Sequence, residues 1–184
     1  MKLKIFNCLK TNFIVIFLVF ILIACKNKPV EQNRPYFNKT GEELIRVNKL
    51  MIGKDVINIK AYIKRRNWKM KETESGLWYE IYKHGNGDLA TKNLLATINF
   101  RVELLDGTYC YSSDSSGYKK FTIGTGKVES GLDEGIQLMR TGDAAHFILP
   151  PHLAYGLPGD NNRIPPRSII VYDIELLNLE KKKD

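Results

Sequence analysis

The sequence predicts an α+β fold, in which an antiparallel sheet of about five strands wraps on one short helix. Three observations predict it. Apolar and polar residues alternate along 95–105, turn signals close hairpins around that strand, and 132–139 carries the only helical period of the second half. A Gly- and Pro-rich segment, 150–168, separates the last two strands. A signal peptide and a short helical lead-in are expected ahead of this body.

Residues 1–24 fit a signal peptide. Three lysines precede a 12-residue apolar run, 13–24, that ends directly before Cys25. Because a membrane-spanning helix needs about 20 residues, a retained anchor helix is the weaker alternative. Leu22-Ile23-Ala24-Cys25 resembles the lipobox of bacterial lipoproteins. That resemblance implies acylation of Cys25 and a lipid anchor in the membrane, with an ordinary secretory signal as the alternative.

Cysteine and charge exclude several classes of protein. Once Cys8 leaves with the signal peptide and Cys25 is acylated, Cys110 is the only thiol, so no intramolecular disulfide is expected. Without the three lysines of the signal peptide, the formal charge falls from +8 to +5. Basic residues cluster at 60–71 and in the tail, 181–184, which is typical of solvated faces. We expect no nucleic acid as a partner, because an exported chain rarely meets it.

The segment between the signal peptide and the body divides in two. Residues 25–39 are polar, contain two prolines and predict a flexible tether. Residues 40–68 predict a helical lead-in of two short helices, the first with a Thr40–Glu43 capping box and an end near Gly53, the second capped by Asp55. Two such helices are not a domain. They are expected to dock on the body, on a second copy in a homodimer, or on another partner.

The body, 69–180, is predicted strand by strand. Its strands fall at 77–82, 95–105, 108–113, 121–124, 144–149 and 169–179. Asp106-Gly107 forms a hairpin turn between the second and third strands. A polar loop, 114–119, follows the third strand, and the helix at 132–139 lies between the fourth and fifth.

Four fragments of the body resemble the FKBP-type peptidyl-prolyl cis-trans isomerases in order and spacing, over about 76–179. They are Asp106-Gly107-Thr108 with Ser112-Ser113, Val128 to Gly135, Ala154-Tyr155-Gly156, and Ile164-Pro165-Pro166 before Val171 to Leu177. The resemblance implies an FKBP-like fold and isomerisation of the peptide bond before proline in polypeptide substrates. That reaction uses no nucleophile, metal or cofactor, and none is expected here.

The resemblance also assigns an apolar pocket between helix and sheet, with Tyr155 and Ile164 at its mouth and Leu132 at its floor. The catalytic positions are Tyr155, Phe100 and Tyr172. The substrate-binding positions are Cys110, Tyr111, Phe121, Val128, Glu129, Leu132 and Ile164. Cys110-Tyr111 replaces a Phe-Asp pair of the family, Glu129 a common Ile, and Leu132 a Trp. The pocket should therefore be apolar with fewer rings, and weak to moderate activity is expected.

The lipobox, the lead-in and the stretch Asp106 to Ser113 together resemble the gliding-motility-associated FKBP-type lipoproteins of bacteria. This implies a lipid-anchored protein of the cell envelope, facing the periplasm or the exterior, that assists folding of exported proteins. The alternative is a non-catalytic chaperone or assembly subunit of an envelope machine that uses the same groove. The three histidines lack the spacing of metal ligands, so no metal site is predicted.

Overall fold

The computed structural model describes residues 41–181. Its helices are α1 Gly41–Arg66, α2 Ser113–Ser116 and α3 Ser130–Ile136, with a 3-10 turn at Pro151–Leu153. Its strands are β1 Lys71–Glu72, β2 Trp78–Lys83, β3 Leu94–Leu104, β4 Tyr109–Ser112, β5 Lys119–Thr122, β6 Ala144–Leu149 and β7 Ile170–Lys181. The predicted signal peptide, the tether and the lipidation site Cys25 lie outside the described residues.

The strands form one antiparallel sheet in the order β1-β2-β6-β7-β3-β4, and β5 also pairs with β3. The longest ladder joins β3 to β7 over eleven registered positions. Ala96, Ile98, Phe100 and Val102 are buried on one face of β3, while Arg101 is exposed on the other. The alternation that predicted this strand is therefore the alternation between the core and the opposite face. The predicted pairing of β6 with β7 is confirmed over six positions.

Two glycines let α3 lie directly against β6. A Cβ at Gly131 would stand 2.6 Å from Leu149 Cγ, and a Cβ at Gly135 would stand 2.6 Å from Phe147 Cε2. Real Cβ atoms do not approach carbon so closely, so only glycine permits this separation of helix and sheet. The close contact fixes the start of α3, and with it the position of Glu129, the residue just before the helix.

The C-terminal half of α1 packs on the opposite face of the sheet. Ile59 and Tyr62 are buried there, and the hydroxyl of Tyr62 and the guanidinium of Arg66 each donate to Glu103 at 3.1 Å. The sheet side of this contact consists of Trp78, Ile148, Ile169 and Val171. The N-terminal half of α1 instead leaves apolar side chains in solvent, namely Leu44, Ile45, Leu50, Met51 and Ile52. No helix in residues 41–181 has the length and apolar character needed to cross a membrane.

Several sequence predictions are corrected. The lead-in is one helix of 26 residues, because the chain continues helically through Gly53, and Asp55 pairs with a later loop instead of capping a second helix. The sheet has seven strands and not about five: all six segments predicted along the body join it, and a two-residue strand, β1, adds to its edge. The predicted loop 114–119 contains most of α2 and the first residue of β5, and the helix predicted at 132–139 spans 130–136.

Gly135→Ala should destabilise the protein by about 1–3 kcal/mol, because the added methyl group overlaps the Phe147 ring and forces α3 away from β6. Urea unfolding would measure the change. Gly53→Ala is the matched control, since a Cβ there meets nothing within 4 Å and alanine favours a helix. Equal stability of the two variants would contradict the close packing of α3.

Candidate functional site

A pocket of about 680 Å³ opens beside β5, the approach to α3 and the loop that follows β6. Its volume lies in the range of ligand-binding pockets. Four residues that the sequence assigned to substrate binding or catalysis line it together: Phe121, Val128, Glu129 and Tyr155. The other lining residues are Leu95, Lys119, Lys120, Thr122, Gly126, Lys127 and Ala154.

The side chain of Glu129 forms the centre of the site. Only 5% of it is exposed. Its Oε1 accepts hydrogen bonds from the hydroxyls of Tyr155 and Tyr172, the latter at 3.0 Å. Its Oε2 accepts no hydrogen bond from the described residues and lies 3.8 Å from Lys119 Nζ. A buried carboxylate is stable only when its charge is compensated, and these three side chains compensate it.

Both tyrosines are held neutral by this arrangement. Burial raises the pKa of Tyr155, and the hydrogen bond to Glu129 raises it further. Burial also raises the pKa of Tyr172, and the negative charge of Glu129 adds to the effect. Each hydroxyl therefore keeps its proton and acts as a hydrogen-bond donor. In the structure, both donate to the same carboxylate oxygen.

Lys119 links this polar centre to aromatic rings. Its Nζ lies 5.2 Å from the centroid of Phe100 and 5.9 Å from that of Tyr172. An ammonium group near the face of an aromatic ring is attracted by the negative charge density of that face. The catalytic candidates Tyr155, Phe100 and Tyr172 are thus brought together, and Lys119 stands among them.

The remaining predicted site residues do not line the pocket. Phe100, Cys110, Leu132, Ile164 and Tyr172 are all buried in the main core. Leu132 does not form a floor and Ile164, 2% exposed, does not line the mouth, in contrast to the expectation. Glu129 and Tyr155 line the pocket instead, and the buried hydroxyl of Tyr172 donates to the same oxygen of Glu129. The pocket is consequently polar on one side and not apolar throughout.

Tyr111 supports the loop that carries Tyr155. Its hydroxyl donates to Asp160, whose Oδ1 also accepts the backbone N–H of Ile164 at 2.8 Å. The bond to Asp160 raises the pKa of Tyr111, and burial adds to it. The thiol of buried Cys110 lies 3.7 Å from the carbonyl oxygen of Arg163, and burial raises its pKa. Cys110 and Tyr111 therefore hold the loop and do not line the pocket.

A second tie holds the far end of the same loop. Arg167 has a positive φ of 57°, a backbone conformation that residues other than glycine adopt at a cost in free energy. Its guanidinium donates two hydrogen bonds to Asp55 of α1, at 2.9 and 3.2 Å, and its backbone N–H donates to Gly156 at 3.0 Å. A paired, forked ion contact of this kind is geometrically specific. It joins α1 to the residue that follows Tyr155.

The sequence reasoning missed the lysines of the pocket. Lys119 and Lys120 directly precede Phe121, and Lys127 directly precedes Val128. The resemblance assigns both apolar neighbours, Phe121 and Val128, to the pocket, so adjacency to them is the signal that points to the lysines. In residues 41–181, no group of three or more His, Cys, Asp or Glu side chains is placed to hold a metal ion.

Comparisons with known proteins point to one family. The profile of the family described as FKBP-type peptidyl-prolyl cis-trans isomerase matches residues 87–177. The probable isomerase FkpA of Neisseria meningitidis is 36% identical over 121 residues, which cover 65% of this chain and 44% of that protein. The crystal structure of AtFKBP13 aligns with a TM-score of 0.58 and 32% identity, over 60% of this chain and 98% of the other.

The isomerase Fkbp12 of Drosophila melanogaster is 41% identical over 98 residues, which cover 52% of this chain and 91% of that protein. This chain belongs to the FKBP-type peptidyl-prolyl cis-trans isomerase family. It spans only 41–50% of the length of the first three curated relatives, all FkpA proteins. The FKBP fold predicted from the sequence is confirmed.

In this FKBP-type chain, Glu129→Ile should lower stability by about 1–3 kcal/mol, because the buried Tyr172 hydroxyl loses its acceptor. Adding Tyr172→Phe should recover most of that loss, since the fully buried hydroxyl is then gone, and the Tyr155 hydroxyl, which lines the open pocket, can donate to water instead. Urea unfolding of the wild type, the two single variants and the double variant measures the coupling. Losses that simply add would show that the hydrogen bond is unimportant.

Proposed function

We propose that this chain is a peptidyl-prolyl cis-trans isomerase that assists the folding of exported proteins. One observation carries the proposal: Tyr155 stands at a ligand-sized pocket with Phe121 and Val128, in a chain of the FKBP-type family. The curated relatives that share the fold are named as isomerases. The substrates proposed are polypeptides that contain proline.

The chemistry requires a binding surface and no reactive group. Resonance keeps the peptide bond planar, with a rotation barrier of ~18–20 kcal/mol. For the peptide bond before proline, the cis and trans states are nearly equal in free energy, yet their interconversion takes about tens to hundreds of seconds. The twisted amide has lost its resonance polarisation and tolerates an apolar wall better than the planar amide does. Phe121 and Val128 supply such a wall, so the pocket binds the twisted state more tightly than the ground state.

Tyr155 is proposed to hold the carbonyl oxygen of the substrate. Its hydroxyl can donate one hydrogen bond, and in the free protein that bond goes to Glu129. When a substrate carbonyl enters, the hydroxyl proton must turn from Glu129 to the substrate. Lys119, 3.8 Å from Glu129 Oε2, is placed to keep the carboxylate compensated during this exchange. The cost of breaking the internal bond is the physical reason for expecting modest activity.

Tyr155→Phe should reduce kcat/KM on a short X-Pro peptide by about two- to tenfold, the value of one hydrogen bond. Cis-to-trans conversion would be followed with the purified chain. Tyr79→Phe is the control, since this ring also packs on the core but lines a different pocket. Urea unfolding checks that both variants are folded. A wild-type rate equal to that of buffer at micromolar protein would reject catalysis.

A non-catalytic chaperone or assembly subunit is the second candidate. Two observations favour it: the Tyr155 hydroxyl is already taken, and the N-terminal half of α1 exposes Leu44, Leu50 and Met51. These side chains suit a grip on a client or a homodimer of lead-in helices. Suppression of aggregation that survives Tyr155→Phe but is lost with Leu44→Ser, Leu50→Ser and Met51→Ser would support this role. Light scattering of the same proteins would reveal the dimer.

The location is also a proposal. The Leu22-Ile23-Ala24-Cys25 pattern supports acylation of Cys25, a lipid anchor and a place in the cell envelope. Labelled palmitate should enter the wild type and not Cys25→Ser, and label in both proteins would refute the anchor. Resemblance to gliding-motility lipoproteins supports a part in that machine. Unchanged colony spreading in a gliding host that lacks the gene would argue against it.

A further inference from the structure

Three lysines line one side of the pocket. Lys119 and Lys120 come from β5 and Lys127 from the loop before α3, and all three line the cavity with Tyr155. Lys120 and Lys127 are exposed. Among the described residues neither of them forms an ion pair with an acidic side chain. The pocket therefore presents ammonium groups to whatever enters it.

One carboxylate lines the pocket together with these lysines. It belongs to Glu129, which is buried, contacts Lys119 and accepts the hydroxyls of two tyrosines. Asp133, Glu134 and Asp160 are not among the residues that line the pocket. Three ammonium groups and one carboxylate therefore leave the lining with a net positive charge.

We propose that this pocket selects proline-containing segments with an Asp or Glu directly before the proline. The inference rests on the proposed function and names its substrate class. Phe121, Val128 and the Tyr155 ring receive the proline, while Lys120 and Lys127 attract the neighbouring carboxylate. A polypeptide is favoured over an anionic membrane surface because the lysines border a concave pocket that also holds apolar side chains.

The expected size of the preference follows from the exposure of the lysines. Each exposed pair of opposite charges changes an equilibrium by about 1.4- to 5-fold. Two lysines acting on one carboxylate should therefore give about a three- to tenfold preference in kcat/KM for Glu over Leu. Lys at the same position should be disfavoured by like-charge contact. Because exposed charges are screened, most of the difference should vanish at about 1 M salt, where the Debye length is about 3 Å.

The test uses the full chain and three peptides, Ala-Glu-Pro-Phe, Ala-Leu-Pro-Phe and Ala-Lys-Pro-Phe. Isomerisation rates and binding by peptide-detected NMR are both measured at low and at high salt. The order Glu above Leu above Lys, compressed by salt, is expected in both readouts. Equal affinities for the Glu and Lys peptides would overturn the inference, and so would binding of anionic vesicles without any peptide preference.

Charge reversal gives the matched comparison. In Lys120→Glu with Lys127→Glu, the preference should invert, so that the Lys peptide binds about three- to tenfold better than the Glu peptide. Lys69→Glu with Lys71→Glu changes the net charge equally at exposed lysines of another pocket and should keep the original order. Inversion by both pairs would assign the effect to net charge and overturn the site.

The two proposals fail separately. Turnover of the Leu peptide without a Glu preference would keep the isomerase and overturn the acidic selectivity. Absence of turnover of all three peptides would reject catalysis, while the NMR binding order would still decide whether the lysines select acidic segments.

Discussion

The site depends on the contacts that the buried carboxylate of Glu129 makes with two tyrosine hydroxyls and one lysine. Glu129 stands where α3 begins, and α3 is fixed because Gly131 and Gly135 touch β6 without a Cβ between them. From this place the carboxylate accepts two tyrosine hydroxyls and faces Lys119. A carboxylate taken out of water needs such partners, because the loss of hydration is worth several kcal/mol or more. The close packing of α3 on β6 therefore also places the charged group that makes the pocket polar.

The same carboxylate explains why the pocket has two unlike sides. It accepts the Tyr155 and Tyr172 hydroxyls, while Leu132 and Ile164 are buried in the core and do not line the pocket. The pocket lining then combines the apolar side chains of Phe121, which is buried, and Val128, which is half-buried, with a set of lysines beside them. An apolar wall suits a proline ring, and cations suit an anionic neighbour. Recognition here combines burial with long-range attraction, which governs selectivity more than tightness.

Sequence patterns predicted the parts of the fold in which local periodicity and burial agree. The alternation in β3, the hairpin around Asp106-Gly107 and the strand pair β6–β7 are of this kind. Gly53 was misjudged because a glycine inside a helix costs only about 1 kcal/mol, which the rest of the helix outweighs. Of the residues that the resemblance assigned to the site, Phe121, Val128, Glu129 and Tyr155 line the pocket. The resemblance could not show which way the Glu129 side chain points, because that depends on partners distant in sequence.

The ion pair between Arg167 and Asp55 makes α1 part of the support of the site. Arg167 keeps a left-handed backbone, and its guanidinium reaches α1 while its N–H holds Gly156, next to Tyr155. Tyr111 and Asp160 tie the middle of the same loop to β4. The loop is thus held both at its middle, by Asp160, and at its C-terminal end, by Arg167. The helix that anchors this loop through Asp55 is therefore the same helix whose N-terminal half leaves apolar side chains in solvent.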